Sequence, residues 1–252
     1  MGDLTTPGYW DREHQDLLYT REQLADFPQF PWMPPLLELL EPYRGQRFLE
    51  LGCSPGQVSA MICNRIPMRA EGVDFSDSAW LYLENMKTVG VTDAVLHRSD
   101  FRSFQPETPF DVVSSFGLVE HFDDPQEVLD HHDRLLRKGG LCVVELPRFI
   151  GLSWLHKWIF DRPNLRAHNV KTMRLDVFRR FAERAGHEVL FLDMVGGPQV
   201  WGYSKTGPEW LQRRRKATAL GVKAWVAKSL KPRVRPGHPW FAPWILYAGR
   251  KR

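Results

Sequence analysis

The sequence predicts a doubly wound, mostly parallel α/β sheet of seven strands. Three observations carry that prediction. From residue 46 onward, short apolar runs rich in β-branched residues alternate with stretches of helical period, the rhythm of repeated βαβ units. The first strand passes into its helix through a glycine turn, Gly52-Cys-Ser-Pro-Gly56. The alternation then breaks after the fifth strand, so the last two strands must be separated by insertions.

The elements follow in order. Residues 1–45 read as a helical lead-in or cap, with a helix over Gln15 to Phe27 broken by Pro28, Pro31, Pro34 and Pro35, then a short amphipathic helix over Leu36–Leu40 ending before Pro42. The main domain occupies residues 46–252. Strand one is Arg47–Leu51, with a helix over Gln57–Ile66. Strand two is Arg69–Val73, with a helix over Ser78–Val89. Strand three is Thr92–His97. Strand four is Asp111–Ser115, with a helix over Pro125–Leu136. Gly139-Gly140 makes a turn into strand five, Leu141–Leu146. Beyond it come an insert over 151–170, a helix over Arg174–Ala185 stopped by Gly186, strand six over Glu188–Val195, a second insert over 197–239, and strand seven over Trp240–Gly249.

Bulk properties narrow the class. The 252 residues suit one α/β domain with insertions. The net charge of +4 is too small to imply nucleic acid on composition alone. Three cysteines, Cys53, Cys63 and Cys142, cannot build a disulfide framework, so a reducing cytoplasm is expected. No basic segment precedes an apolar run near Met1, and no run of about 18 apolar residues occurs, so neither a signal peptide nor a membrane span is expected. Ten tryptophans are many for this length. Trp10, Trp32, Trp154, Trp158, Trp201, Trp210 and Trp225 fall outside the strands and mark cap elements, a lipid-facing surface or an aromatic-lined substrate site.

Two other readings of the glycine turn fail on physical grounds. Gly52-Cys-Ser-Pro-Gly56 fits the G-x-S-x-G elbow of serine hydrolases, but the residue after the serine must donate its N–H to the oxyanion, and Pro55 has none. The dinucleotide fingerprint G-x-G-x-x-G fails as well, because Ser54 stands at the second glycine position and the third glycine comes one residue early.

In an open parallel sheet the ligand lies beyond the carboxyl ends of the strands. After strand one stand Glu50, Gly52, Ser54 and Gly56. After strand two, eighteen residues past Gly56, comes Asp74 with Phe75, placed for a ribose diol. After strand three come Asp100, an acceptor for an adenine amino group, and Phe101, a wall for the ring. After strand four comes Ser114-Ser-Phe-Gly-Leu-Val-Glu-His121. Taken singly, Asp74 also fits a helix N-cap and Asp100 a turn residue. Four strand ends in register point together to an adenosine-containing ligand that needs no pyrophosphate site.

These segments resemble the motifs of the class I S-adenosylmethionine-dependent methyltransferases. Glu50-Leu-Gly-Cys-Ser-Pro-Gly56 resembles the first motif and Gly72-Val-Asp-Phe-Ser76 the ribose motif. Ser99-Asp100-Phe101 resembles the adenine-side motif, and Phe110–Phe122 and Leu135–Glu145 the fourth- and fifth-strand motifs. The likeness covers about residues 46–147 and implies the Rossmann-like methyltransferase fold with S-adenosylmethionine as cofactor. By resemblance, Glu50 orients the loop and the amino end of the methionine moiety, Gly52 and Gly56 line it, and Asp74 holds the ribose hydroxyls. Asp100 and Phe101 flank adenine, and Phe116 lies near the methionine part. Ser54 departs from the glycine common at its position, and its hydroxyl can bond the ligand. For a hydroxyl acceptor, His121 is the candidate base, against a reading in which Glu120-His121 buttresses the strand-four region. Some quinone-pathway relatives bind a divalent metal through acid-x-x-Glu-His. Gly117 stands at the first of those positions here, and no metal is expected.

The inserts are expected to choose the acceptor. Ser153–Asp161 with His168-Asn169 resembles inserts of bacterial methyltransferases acting on sugars or lipid-linked intermediates, which offers His156, His168 and Asn169 as acceptor contacts against a plain packed-lid reading. Residues 205–235 carry ten Lys and Arg against Glu209 alone, and Leu211, Thr218, Val222, Trp225 and Val226 fall near one helical face. Such a helix can lie on an anionic membrane, grip phosphate or simply pack as a lid. The expected reaction is therefore O-methylation of a small molecule, sugar or lipid-linked precursor by a cytoplasmic enzyme, with peripheral membrane contact through 205–235 as an open alternative. RNA or tRNA methylation through the basic insert, and a non-catalytic binding module, are the competing readings. Against RNA, no Asn/Asp-Pro-Pro-Tyr-type base pocket occurs.

Overall fold

The computed structural model describes residues 3–14, 17–25 and 30–252. Seven strands form one sheet: β1 (Arg47–Leu51), β2 (Arg69–Asp74), β3 (Val95–Arg98), β4 (Phe110–Phe116), β5 (Leu136–Pro147), β6 (His187–Val195) and β7 (Trp244–Lys251). Their order is β3-β2-β1-β4-β5-β7-β6, with β7 antiparallel to both neighbours and every other pairing parallel. The chain moves outward from β1 to β3 and then crosses to β4 on the other side of β1. The crevice between β1 and β4 is thus the topological switch point, where the carboxyl ends of two strands diverge.

Ten helices flank the sheet among the described residues: α1 (Pro7–His14), α2 (Arg21–Ala25), α3 (Met33–Leu40), α4 (Gln57–Cys63), α5 (Trp80–Thr88), α6 (Pro125–Leu135), α7 (Leu152–Phe160), α8 (Arg162–Arg166), α9 (Leu175–Ala185) and α10 (Glu209–Trp225). Strand residues alternate between two apolar layers, as the two-residue period of a pleated strand requires. Phe48, Val112, Leu141 and Val143 join α2 to α5 on one face. Leu49, Val113, Cys142 and Val144 join α6 and α9 on the other. Local chemistry fixes the helix ends. Asp124 caps α6, accepting from the Gln126 amide at 2.9 Å with Pro125 next to it. Gly186 ends α9 in the left-handed region.

The structure moves several expected boundaries. Of the helix expected over Gln15 to Phe27, only Arg21–Ala25 is helical among the described residues, and residues 15–16 and 26–27 lie outside them. A capping box sets the start: the Gln23 amide donates to Thr20 Oγ1 at 3.3 Å while Gln23 Oε1 accepts from the Thr20 amide at 2.8 Å. Ahead of it, Asn85 holds the chain extended by accepting from the Tyr19 amide and donating to the Leu17 carbonyl, each at 3.0 Å. β5 begins at Leu136 rather than Leu141, because the Gly139-Gly140 turn is a bulge within the strand. Phe110 pairs with Leu136, and the pairing resumes at Val112 with Leu141. β7 begins four residues later than expected, since Phe241 and Ala242 both donate to the His238 carbonyl in a turn ahead of Pro243.

Candidate active site

The loop from β1 to α4 is shaped by two glycines with positive φ. Gly52 (φ +67°) turns the chain at the strand end, and Gly56 (φ +87°) starts α4. A Cβ on Gly56 would come within 2.8 Å of the Tyr82 Cα, so no other residue fits without moving α5. The loop is tied down by Asp74 at the end of β2. Its Oδ2 accepts from the Ser54 amide at 3.0 Å, and its Oδ1 accepts from the Ser76 amide at 2.8 Å and the Ser76 hydroxyl at 2.6 Å. Ser54 Oγ donates to the Ser78 carbonyl at 3.2 Å and lies 3.1 Å from His14 Nδ1 of α1.

These residues enclose a cavity of about 190 Å³ at the switch point. Glu50, Gly52, Ser54 and Gly56 line it from β1 and its loop, Asp74 and Phe75 from β2, and Phe116 and Gly117 from β4, with Trp10 and His14 of α1 as its roof. A pocket for a ligand of drug size is usually about 300 Å³ or more. α1 therefore fills space that a nucleoside-sized ligand would share. Ser78 anchors this roof, its amide donating to Asp11 Oδ1 at 3.1 Å. Glu50 is buried and hydrogen-bonded by Ser59 Oγ. Burial pushes its carboxyl up to about 8, against the hydrogen bond from Ser59 and with the Asp74 carboxylate adding repulsion. A cation beside Glu50 would ionise it, so the pocket floor favours a ligand carrying an ammonium or sulfonium group.

A second cavity, of about 350 Å³, adjoins the first and shares Gln57, Val58, Phe116 and Gly117 with it. Its walls are aromatic: Phe30, Trp32, Trp201 and Trp244, with Trp32 stacked on Phe116 and Trp201 on Trp244. Its acidic group is Glu145, which β4–β5 pairing sets opposite Phe116. Burial, reinforced by the neighbouring Glu120, raises the Glu145 carboxyl well above the usual range. In the sequence Glu145 stands only as the end of the fifth-strand motif. Its position opposite Phe116 is the signal that could have singled it out.

The structure thus brings Glu50, Gly52, Ser54, Gly56, Asp74, Phe75 and Phe116 around one cavity. It does not bring Asp100 and Phe101 to that cavity's wall. Phe101 is buried edge-on against Phe122 and His131. Burial alone would raise the Asp100 carboxyl, but hydrogen bonds from Arg102 hold it below the usual range, and Arg102 in turn reaches Asp3 at 2.8 Å. His121 is buried outside both cavities, with its ring edge-on to Trp10 at 4.7 Å. Burial lowers it to about 4, against its hydrogen bond to the Ala167 carbonyl at 2.8 Å.

Two of the three insert residues are held by hydrogen bonds within the fold, and the third, His156, is buried with neither ring nitrogen hydrogen-bonded. Asn169 donates from its side chain to Phe122 and Asp123 carbonyls, and its amide donates to the Glu120 carbonyl at 2.6 Å. His168 bonds the Asn164 carbonyl through Nδ1 at 2.6 Å. His156 is buried beside Phe160, and burial lowers it to about 4. No metal is expected from the sequence, yet Glu120, His121 and His168 bring ligand atoms within 4.8 Å of one another, the one such set among the described residues. His168 comes from the insert, so no local spacing announces this grouping.

The family model described as "Methyltransferase domain" matches residues 19–191. A trans-aconitate 2-methyltransferase from Enterobacter sp. (strain 638) is 32% identical over 100 residues, covering 39% of this chain and 38% of that protein. A ubiquinone biosynthesis O-methyltransferase from Maricaulis maris (strain MCS10) is 28% identical over 135 residues, covering 47% and 50%. The chain therefore spans half or less of the length of these curated relatives. A solved S-adenosylmethionine-dependent methyltransferase from Geobacter sulfurreducens, in complex with S-adenosyl-L-homocysteine, superposes with a TM-score of 0.58 at 15% identity over the whole of both chains. The N-methyltransferase NodS from Bradyrhizobium japonicum WM9 gives 0.57 at 13% identity over 97% of each. At these identities the two structures establish a shared fold. The family match extends over more than half of the sequence, and the chain belongs to the methyltransferase-domain family, the class I S-adenosylmethionine-dependent methyltransferases.

Proposed function

We propose that this protein transfers a methyl group from S-adenosylmethionine to an oxygen of a small molecule, sugar or lipid-linked precursor held in the aromatic cavity. One observation carries the reading: the glycine-loop cavity and the aromatic cavity meet at Gln57, Val58, Phe116 and Gly117, so a donor in one faces an acceptor in the other. The residues of the first cavity fit the cofactor. Asp74 suits a ribose diol, Gly52 and Gly56 admit close backbone approach, and Glu50 suits the ammonium of the methionine end. When bound, the cofactor supplies an electrophilic methyl on a sulfonium.

The chain's own part is alignment, exclusion of water and removal of one proton. Trp10 and His14 cover the first cavity, and Trp32, Trp201 and Trp244 dry the second. Glu145 is the group that accepts the hydroxyl proton as the oxygen–methyl bond forms. His121, the candidate base read from the sequence, is the weaker choice, since it lines neither cavity and burial lowers it to about 4.

Incubation with methyl-labelled cofactor and separate fractions of small molecules, lipids and RNA, followed by mass analysis, tests the reading. A labelled methyl ether is expected. Glu145→Gln is expected to lower kcat by about 10²–10⁴ and to flatten its rise with pH. Full turnover in that variant would remove Glu145 as base, and label appearing only in RNA would favour the competing reading.

A further inference from the structure

α7 is built inside out. Its inward residues are polar (Ser153, His156 and Lys157 are buried), while Trp154, Leu155, Trp158 and Ile159 are 41%, 47%, 43% and 52% exposed. Lys157 is reconciled with burial by Asp161 at 3.1 Å and by the Phe149 ring beneath its ammonium. The four apolar residues form one stripe at helical spacing, and Trp154 stacks on Trp158. A helix that spends its polar residues inside and presents tryptophan outside has the reverse of a water-facing pattern.

The stripe adjoins an open cavity of about 650 Å³, the largest of those described. Trp154 and Leu155 form part of its wall with Phe149, Trp240 and Phe241, and Lys171 and Arg174 supply its cations. Arg174 is shared with Asp176 at 2.9 Å, and Arg162 lies over the Trp158 ring at 4.3 Å. Residues 151–174 hold five cations against Asp161 alone. The basic second insert leaves and returns here. The Ser204 amide donates to the Phe160 carbonyl at 2.8 Å, and the Leu152 amide to the Trp240 carbonyl at 3.1 Å. Between those ties α10 packs through a narrow stripe centred on Ala219 and exposes Trp210, Leu220 and Trp225. Helical spacing groups Trp225 with Val222 and Val226 on one face, but Val226 is buried and Trp225 faces out.

We propose that this face, the outer stripe of α7 with its neighbouring cavity, seats on an anionic phospholipid bilayer, and that the cavity receives an acyl chain. Tryptophan and isoleucine enter the headgroup boundary, while Lys171, Arg162 and the cations of α10 meet the negative surface. Charge complementarity selects this occupant. A second copy of the chain would set basic rim against basic rim. Among the described residues no helix is long and apolar enough to cross a membrane, so the contact is peripheral.

Co-sedimentation of the full chain with vesicles tests this. Phosphatidylcholine vesicles carrying about 30% phosphatidylglycerol are expected to retain it about tenfold better than phosphatidylcholine alone, and raising salt to about 0.5 M should remove most of the difference. Tryptophan fluorescence should be quenched by brominated acyl chains. Trp154→Ala/Trp158→Ala and Lys171→Glu should each lower retention about tenfold, whereas Trp80→Ala, at a still more exposed tryptophan on α5, should not. Cofactor affinity, read in parallel, shows that the variants are folded. Absence of retention, equal retention on neutral vesicles, or a shift to a dimer that hides the same tryptophans would overturn the proposal.

Discussion

Asp74 is the residue on which the cofactor reading can be broken most directly. Its carboxylate holds three donors, the amides of Ser54 and Ser76 and the Ser76 hydroxyl. It also borders the cavity where a ribose would lie. Hydrogen bonds to a charged group are worth about 1.5–3 kcal/mol each. Three of the carboxylate's roughly four acceptor sites are thus filled, and a ribose hydroxyl on the remaining one contributes about 1.5–3 kcal/mol, or about 10–10² in Kd. Asp74→Ala should lose that whole factor. It also orphans two buried amides at about 1–3 kcal/mol each, so its unfolding free energy should fall by about 2–6 kcal/mol. Asp74→Asn separates the two effects. Its amide oxygen can keep the Ser76 donors, but its NH₂ meets the Ser54 N–H, donor against donor. Isothermal titration with S-adenosylhomocysteine should show about 10–10²-fold weaker binding in the Asn variant, with a smaller loss in urea melts than for Ala. Two folded variants that bind within twofold of the parent would refute the assignment of Asp74 to the ribose and the cavity with it.

Other outcomes follow from the same site. Because Glu50 holds its proton up to about 8, binding an ammonium ligand must release it. Affinity should climb about tenfold per pH unit from about pH 6 to 8 and then level, a slope that Glu50→Gln should abolish in titrations across pH. Gly56→Ala meets both a left-handed φ and the Tyr82 backbone, and thermal denaturation should register a loss above the ~1–2 kcal/mol of the dihedral alone. Gly45→Ala, with a φ of +76° but nothing within 4 Å of its Cβ, should show only the dihedral cost. Stability should peak near about pH 5–6. Glu50 and Glu120, both raised to about 8, favour the folded state below the ordinary carboxylate range and lose that contribution as pH rises toward 8. His121 and His132, both lowered to about 4, favour it above the ordinary imidazole range and lose that contribution as pH falls toward 4. Urea melts at about pH 4, 5.5 and 8.5 should show both limbs, with Glu120→Gln flattening the alkaline one. A monotonic profile would contradict the buried states of these groups.

The sequence by itself determined the sheet and the floor of the crevice. Strand residues such as Phe48 and Leu49 alternate between two apolar layers, and Gly52 and Gly56 allow a turn that other residues resist. Glu50 and Asp74 follow from their strand ends, because parallel pairing of β1 with β2 fixes where those ends meet. All of that is local periodicity and local backbone freedom, which short windows of sequence record.

What only the tertiary structure decided depends on parts of the chain distant in sequence. α1 roofs the cavity through Ser54 and Ser78, forty or more residues away. Arg102 occupies Asp100, which nothing in Ser99-Asp-Phe101 announces. His168 meets Glu120 and His121 because Asn169 clamps the insert to the end of β4, while Trp10 stands against the His121 ring. The inverted α7 is the plainest case. Its hydrophobic period is that of an ordinary amphipathic helix, and which face turns inward was settled by Asp161 and Phe149 receiving Lys157. Periodicity gives a helix its faces, but burial free energy depends on what each face meets, and that is a property of the assembled fold.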